Sequence, residues 1–148
     1  MKKLKLIVVL VAIFATVLSS CTKDISGPVD TNFLQRKWNF NKSTVSAGVL
    51  TLPFSTTYLK NETGCKNDYI EMIAGGVFKF GNYPPSCELD LRSGSWSENG
   101  TNLVVVLPNT DLNNTFKIAK LTESELILQI DQAYEGKSGT LNLYFKKE

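Results

Sequence analysis

The sequence of this 148-residue chain predicts an all-β domain: an eight-stranded (eight or nine) antiparallel up-and-down meander closed into a barrel. Apolar and polar residues alternate with a period of two in successive segments, as in strands that bury one face. Turn-forming residues separate these segments at short intervals, which favours pairing between consecutive strands. Closure of such a meander removes its exposed edges. A β-sandwich is the alternative architecture, and residues 53–66 are the one connection long enough to cross between two sheets.

The alternation is clearest near the end of the chain. Leu126, Leu128 and Ile130 share one face of a predicted strand, and Glu125 and Gln129 share the other. The predicted strands are residues 37–45, 48–54, 67–73, 77–81, 88–97, 102–107, 115–121, 125–132 and 139–147. No helix is expected after residue 20.

Two glycine-containing turns support the predicted hairpins. Asn99-Gly100 stands between two strands, and Asn-Gly supplies the positive φ values of a type I′ turn. Ala74-Gly75-Gly76 separates another pair. These turns indicate that the strands on either side of each are antiparallel neighbours.

Residues 1–20 have the order of a secretory signal peptide. Three lysines precede an apolar run at residues 6–18, and the small residues Ser19 and Ser20 follow. A run of this length is too short to cross a bilayer, which needs about 20 apolar residues. We therefore expect an exported protein.

Leu18-Ser19-Ser20-Cys21 resembles the bacterial lipobox, and the resemblance implies cleavage before Cys21 and lipidation of that cysteine. Each acyl CH₂ buried in lipid contributes about 0.8 kcal/mol, so two or more chains anchor a protein stably. A free thiol or an intermolecular disulfide is the alternative. Residues 21–32 are polar with one glycine and one proline, which indicates a flexible tether. Because Thr22 replaces the aspartate that retains many Gram-negative lipoproteins at the inner membrane, the outer membrane is the expected location, on either face.

Cys65 and Cys87 remain as an even pair in an exported chain. In an oxidising compartment such a pair is expected to form a disulfide, which would stabilise the fold by roughly 3 kcal/mol. A redox or metal role is the alternative, but neither cysteine has a neighbour in Cys-x-x-Cys spacing.

Charge and composition exclude several functions. The chain has 16 basic and 14 acidic residues. Three of the lysines lie in residues 1–20, so 13 basic and 14 acidic residues remain after the predicted signal peptide. The basic residues form no stripe of the kind that binds nucleic acid. Histidine is absent, so histidine triads and histidine-ligated zinc are excluded. Glu88 and Asp90 share a strand face and are interpreted as its solvated side. No catalytic residue, cofactor or metal is expected.

The segment "FLQRKWNFNKSTV" is similar to the opening strand of lipocalin-like domains, where Leu-x-Gly-x-Trp begins the barrel. Leu34 and Trp38 match, and Arg36 stands in place of the glycine; Gly94-x-Trp96 resembles a later block. The resemblance covers residues 33–148 and is to the lipocalin-like domains of small Gram-negative lipoproteins. It implies a structural role at the barrel end for Leu34, Trp38, Gly94 and Trp96, but it implies no substrate.

Two functions fit these features. The first is a non-catalytic binding protein whose lumen holds a small apolar or amphipathic ligand, although the sequence identifies no ligand-binding residue. The second is an envelope or surface interaction module that binds a protein or glycan through the loops at 53–66 and 81–86. A lumen of a few hundred Å³ favours the first, and a filled interior with exposed Phe54, Tyr58 or Tyr83 favours the second. In either case the expected state is a monomer attached to the membrane through its lipid anchor.

Overall fold

The structure, a computed structural model, describes residues 30–108, 113–134 and 137–148. Within these residues one short helix, α1 (Thr31–Leu34), precedes nine strands. The strands are β1 (Lys37–Ala47), β2 (Leu50–Pro53), β3 (Tyr69–Ile73), β4 (Val77–Asn82), β5 (Asp90–Asn99), β6 (Asn102–Val106), β7 (Asn114–Leu121), β8 (Glu125–Tyr134) and β9 (Lys137–Lys147). The predicted signal peptide, Cys21 and most of the predicted tether lie outside the described residues.

The strands form one antiparallel sheet that closes on itself. From β3 to β9 each strand pairs with the next, and β9 pairs with β1 along most of its length. The opposite edge of β1 is shared: Lys37–Asn39 pair with β3, and Thr44–Ala47 pair with β2. The result is a closed eight-stranded barrel with β2 as one additional strand. This confirms the predicted barrel and excludes the sandwich, because residues 53–66 do not cross between two sheets.

The strand predictions are close, and two local predictions are wrong. Each of the nine strands begins and ends within two residues of its predicted bounds. The expectation of no helix is wrong at Thr31–Leu34, a single turn too short to show a helical period. The type I′ turn is also wrong: Asn99 pairs with Asn102, and of the two residues between them only Gly100 has positive φ, at +63°.

The lumen side of the barrel follows from the strand registers. Leu128 lies opposite Leu143 on the neighbouring strand, and Phe78 lies opposite Met72. All four side chains are buried, so they share the inner face of the barrel. A bulge between Phe40 and Lys42 shifts the register of β1 against β9. The buried core is Leu34, Trp38, Phe40, Leu59, Ile70, Met72, Phe78, Phe80, Leu103, Val105, Leu107, Ile118, Leu126, Leu128, Leu141, Leu143 and Phe145.

Helix α1 closes one end of the barrel. Leu34 and Trp38 are fully buried there, and Trp38 Nε1 donates a hydrogen bond to the Leu34 carbonyl at 3.2 Å. The Arg36 guanidinium lies 5.5 Å from the Trp38 ring centroid, and its Nη1 donates to the Glu123 carbonyl at 2.8 Å. Arg36 therefore links α1 to the β7–β8 turn over the closed end. The other end of the barrel carries the candidate site.

Candidate functional site

A cavity of about 420 Å³ occupies the barrel at the end opposite α1. Its apolar wall comes from β3, β4 and β6 to β9, with Leu107 just after β6: Ile70, Phe78, Phe80, Val105, Leu107, Phe116, Leu128, Ile130, Leu141, Leu143 and Phe145. This volume lies within the range of sites that hold small organic ligands. The arrangement can bury an apolar group and offers it no charged partner.

The mouth of the cavity is polar but uncharged. Thr56, Thr57, Asn114 and Gln132 contribute side chains to the lining at the open ends of β7 and β8 and in the β2–β3 connection. No Asp, Glu, Lys or Arg is among the described lining residues. An amphipathic ligand with an apolar tail and a neutral polar group therefore matches the site best.

Residues 56–59 form a turn that covers part of the mouth. Thr56 Oγ1 accepts a hydrogen bond from the Leu59 amide at 2.9 Å and donates to the Leu59 carbonyl at 2.6 Å. The Leu59 side chain is buried against the core. Asn82 Nδ2 donates to the Tyr58 carbonyl at 2.7 Å, which fixes the turn to the end of β4.

The buried Asp68 holds the loops around the mouth together. Its Oδ2 accepts from the Lys60 amide at 2.8 Å, and its Oδ1 accepts from the Tyr83 amide at 2.7 Å. Asn61, in the left-handed region at φ +53°, accepts from the Asp68 amide and donates from Nδ2 to the Phe40 carbonyl. Two loops and strand β1 thus share one hydrogen-bond network.

The disulfide predicted between Cys65 and Cys87 is present, with the two Cα atoms 5.1 Å apart. It joins the β2–β3 connection to the β4–β5 loop at the open end. Together with Asp68 it gives the mouth a covalent and a hydrogen-bonded brace, which reduces the ordering cost of binding.

The predicted barrel-end residues lie away from this mouth. Trp96 Nε1 donates to the Ile73 carbonyl at 3.0 Å, beside the turn between β3 and β4. At Gly94 a Cβ atom would overlap the Val106 carbonyl oxygen, so the absence of a side chain permits the close approach of β6. Leu34 and Trp38 lie at the closed end, as described above. The contacts of these four residues are structural, and none of the four lines the cavity.

Glu88 and Asp90, the two acidic residues singled out in the sequence, are exposed at the surface. Asp90 Oδ2 forms an ion pair with Arg92 at 2.7 Å. Glu98 has one buried carboxylate oxygen without a hydrogen-bond partner, and burial raises the pKa of this carboxyl. Among the described residues no cluster of three metal-ligating side chains occurs. In the same part of the chain no helix is long and apolar enough to cross a membrane.

The aromatic residues proposed for a recognition surface divide between the two hypotheses. Phe54 and Tyr58 are 45% and 38% exposed, and both also line the cavity. Tyr83 is half-buried. Exposed aromatic residues thus surround an open lumen, and the lumen is the feature that favours the binding-protein hypothesis.

Sequence reasoning did not identify the cavity-lining residues, the turn at 56–59 or the role of Asp68. The inner-face periodicity marked most of the lining as core, but it carried no information on unfilled volume. Asp68 could not be identified from the sequence, because its partners are the backbone amides of Lys60 and Tyr83, which no side-chain pattern marks.

The comparisons with known proteins concern this barrel. No family model matches the sequence, and no curated protein matches it. A solved lipocalin-like protein from Bacteroides uniformis superposes with a TM-score of 0.52 at 18% identity, covering 78% of this chain and 99% of that one. An uncharacterised protein from Bacteroides eggerthii gives a TM-score of 0.48 at 14% identity, covering 78% of this chain and 99% of that one. The likeness to the B. uniformis protein supports a lipocalin-like fold for the barrel described above.

Proposed function

We propose that this protein is a non-catalytic binding protein that holds one small apolar or amphipathic ligand in its barrel. The observation that carries the proposal is the apolar cavity of about 420 Å³ at the open end. The uncharged rim supports a ligand with a neutral polar group, because a buried ionised group without a partner is costly. The lipocalin-like fold is consistent with this function.

The cavity proposal is tested with the neutral fluorescent probe N-phenyl-1-naphthylamine. Ile130 lines the cavity, so Ile130→Phe should fill part of it and weaken probe binding by about tenfold or more. Ile127→Phe is the matched control, because Ile127 lies on the same strand but pairs with Tyr144 on the outer face. Equal binding by both variants and the wild type would contradict the proposal.

The natural ligand is sought by native mass spectrometry of the protein purified from its own envelope. An adduct of small-molecule mass that is lost on denaturation and absent from Ile130→Phe would identify the ligand. An adduct that Ile130→Phe retains would place it elsewhere than in the cavity.

We further propose that the protein is a lipoprotein anchored to the cell envelope through Cys21, most consistent with the outer membrane. The support is the sequence Leu18-Ser19-Ser20-Cys21 after an apolar run. Metabolic labelling with an alkynyl fatty acid should mark the wild-type protein and leave Cys21→Ser unlabelled. Label in Cys21→Ser would contradict the anchor.

A further inference from the structure

The paired part of the β1–β2 hairpin, Thr44–Pro53, carries no charged side chain. Residues 43–59 contain no Asp, Glu, Lys or Arg, although charged residues make up 20% of the whole chain. The stretch begins after Lys42 and ends before Lys60, and it includes the turn at Gly48, where φ is +58°. Moving this hairpin out of water therefore costs no desolvation of charged side chains.

The tip of this hairpin exposes large aliphatic side chains. Val49 is fully exposed, and Leu50 and Leu52 are 64% and 63% exposed. Exposed edge strands are ordinarily protected by charged residues, and this one is not. A contiguous exposed apolar surface without charge marks a contact site.

The apolar face of the hairpin continues into the cavity. Leu52 lies opposite Val45, which packs against the core, so Leu50, Leu52 and Phe54 share the lumen side of the sheet. Phe54 itself lines the cavity. The other face carries the hydroxyl residues Ser46 and Thr51, whose Oγ and Oγ1 atoms lie 3.0 Å apart. A row of apolar side chains thus runs from the tip to Phe54 at the cavity.

The free edge of β2 is poorly suited to pairing with a second copy of the chain. Phe54 donates its amide to the Ser43 carbonyl, so alternation directs the backbone groups of Thr51 and Pro53 away from β1. Proline has no amide hydrogen, which leaves Thr51 as the one outward donor within β2. Strand addition would therefore gain few hydrogen bonds, whereas contact with a lipid surface needs none.

We infer that Val49, Leu50 and Leu52 form a lipid-contacting tip that inserts into the interface of a bilayer and places the cavity mouth against it. Its use, entry of an apolar ligand directly from lipid, rests on the proposed function, but the contact itself does not. The tether would permit this orientation. The nine peptide units from Cys21 to Asp30 reach at most about 30 Å, and an 11-residue strand tilted as in a barrel rises about as far.

The test is co-sedimentation of residues 30–148 with vesicles of phosphatidylethanolamine and phosphatidylglycerol. This segment contains the closed barrel, its buried core and its disulfide, so it is a complete folding unit. The tip variant combines Val49→Ser, Leu50→Ser and Leu52→Ser. The matched control combines Val77→Ser, Leu91→Ser and Val106→Ser, three aliphatic residues that are 42–47% exposed on the outer side of the barrel.

The tip variant is expected to lose at least about tenfold in vesicle partitioning, and the control to keep the wild-type value. A Trp at position 50, in Leu50→Trp, should be quenched by brominated lipid, and one at position 77, in Val77→Trp, should not. Circular dichroism and the binding of N-phenyl-1-naphthylamine show whether the tip variant and the matched control are folded and keep a cavity that binds the probe. They also separate failure of this inference from failure of the proposed function.

Three results would overturn the inference. They are no partitioning of the wild-type segment, equal partitioning of the tip variant, or equal quenching at positions 50 and 77. If instead the wild type is a dimer without vesicle affinity and the tip variant is a monomer, the surface belongs to a second copy of the chain.

Discussion

Gly94 shows how a single residue limits the shape of the barrel. A methyl group there would overlap the backbone of Val106, which cannot move without breaking the pairing of β5 with β6. We expect Gly94→Ala to lower the free energy of unfolding by about 1–3 kcal/mol, the usual cost of overpacking. Gly139→Ala is the control, because its Cβ would meet ordinary contacts of 3.4–3.5 Å. Urea denaturation measures both, and an equal effect at the two positions would contradict this explanation.

Asp68 is the residue on which the loops of the open end depend. Replacement by Ala leaves the part-buried amide hydrogen bonds of Lys60 and Tyr83 without their acceptor. We expect Asp68→Ala to lower the free energy of unfolding by about 3 kcal/mol. Asp90→Ala, which removes an exposed ion pair with Arg92, should cost about 0.5 kcal/mol or less. Thermal denaturation compares the two variants. Equal losses of stability for Asp68→Ala and Asp90→Ala would contradict this role of Asp68.

Residue roles were predictable from the sequence where they depend on local pattern. Trp38 could be placed by its motif, and Cys65 and Cys87 could be paired because no other cysteine follows residue 21. The role of Asp68 could not be predicted, because its carboxylate accepts hydrogen bonds from backbone amides and has no side-chain partner that a sequence pattern would show. The same holds for Thr56, whose partner is the backbone of Leu59.

At the scale of elements, the disulfide between the β2–β3 connection and the β4–β5 loop is expected to contribute to the stability of the fold and to ligand binding. The Cys65–Cys87 bond closes a loop with a sequence separation of 22. Replacing both cysteines by Ser should lower the free energy of unfolding by about 3 kcal/mol, because the unfolded chain gains freedom. The affinity for N-phenyl-1-naphthylamine should fall as well, since the mouth loses its covalent brace. The contradicting result is a double variant with wild-type stability in urea denaturation, compared under the same non-reducing conditions.

The nine strands could be predicted because half-buried strands alternate, as Leu126, Leu128 and Ile130 do. The shared edge of β1 could not be predicted from the sequence. Its first residues pair with β3 and its last with β2, and this switch follows a bulge at Phe40 and Lys42 that the alternation does not encode. A single helical turn such as α1 is likewise below the length at which a period can be recognised.

At the scale of the whole molecule, the barrel combines a filled end and an open end. Trp38, Leu34 and Arg36 complete the packing around α1, while the other end keeps a cavity lined by apolar side chains. Sequence could predict closure, because a meander without free edges is favoured. It could not predict the cavity, since unfilled volume depends on how side chains from β3, β4 and β6 to β9 meet across the lumen.

Closure also predicts how the molecule opens. Strand β9 is hydrogen-bonded to β8 on one side and to β1 on the other, so it cannot separate without opening the barrel. We expect the amides of Leu143 and Phe145 to exchange with solvent only through global unfolding. The Thr51 amide, on the free edge of β2, should exchange roughly a thousandfold faster or more, because it needs no disruption of the barrel. Hydrogen exchange followed by NMR measures both classes. Protection of Leu143 no greater than that of Thr51 would mean that the β1–β9 seam opens locally, and that the barrel is not the cooperative unit.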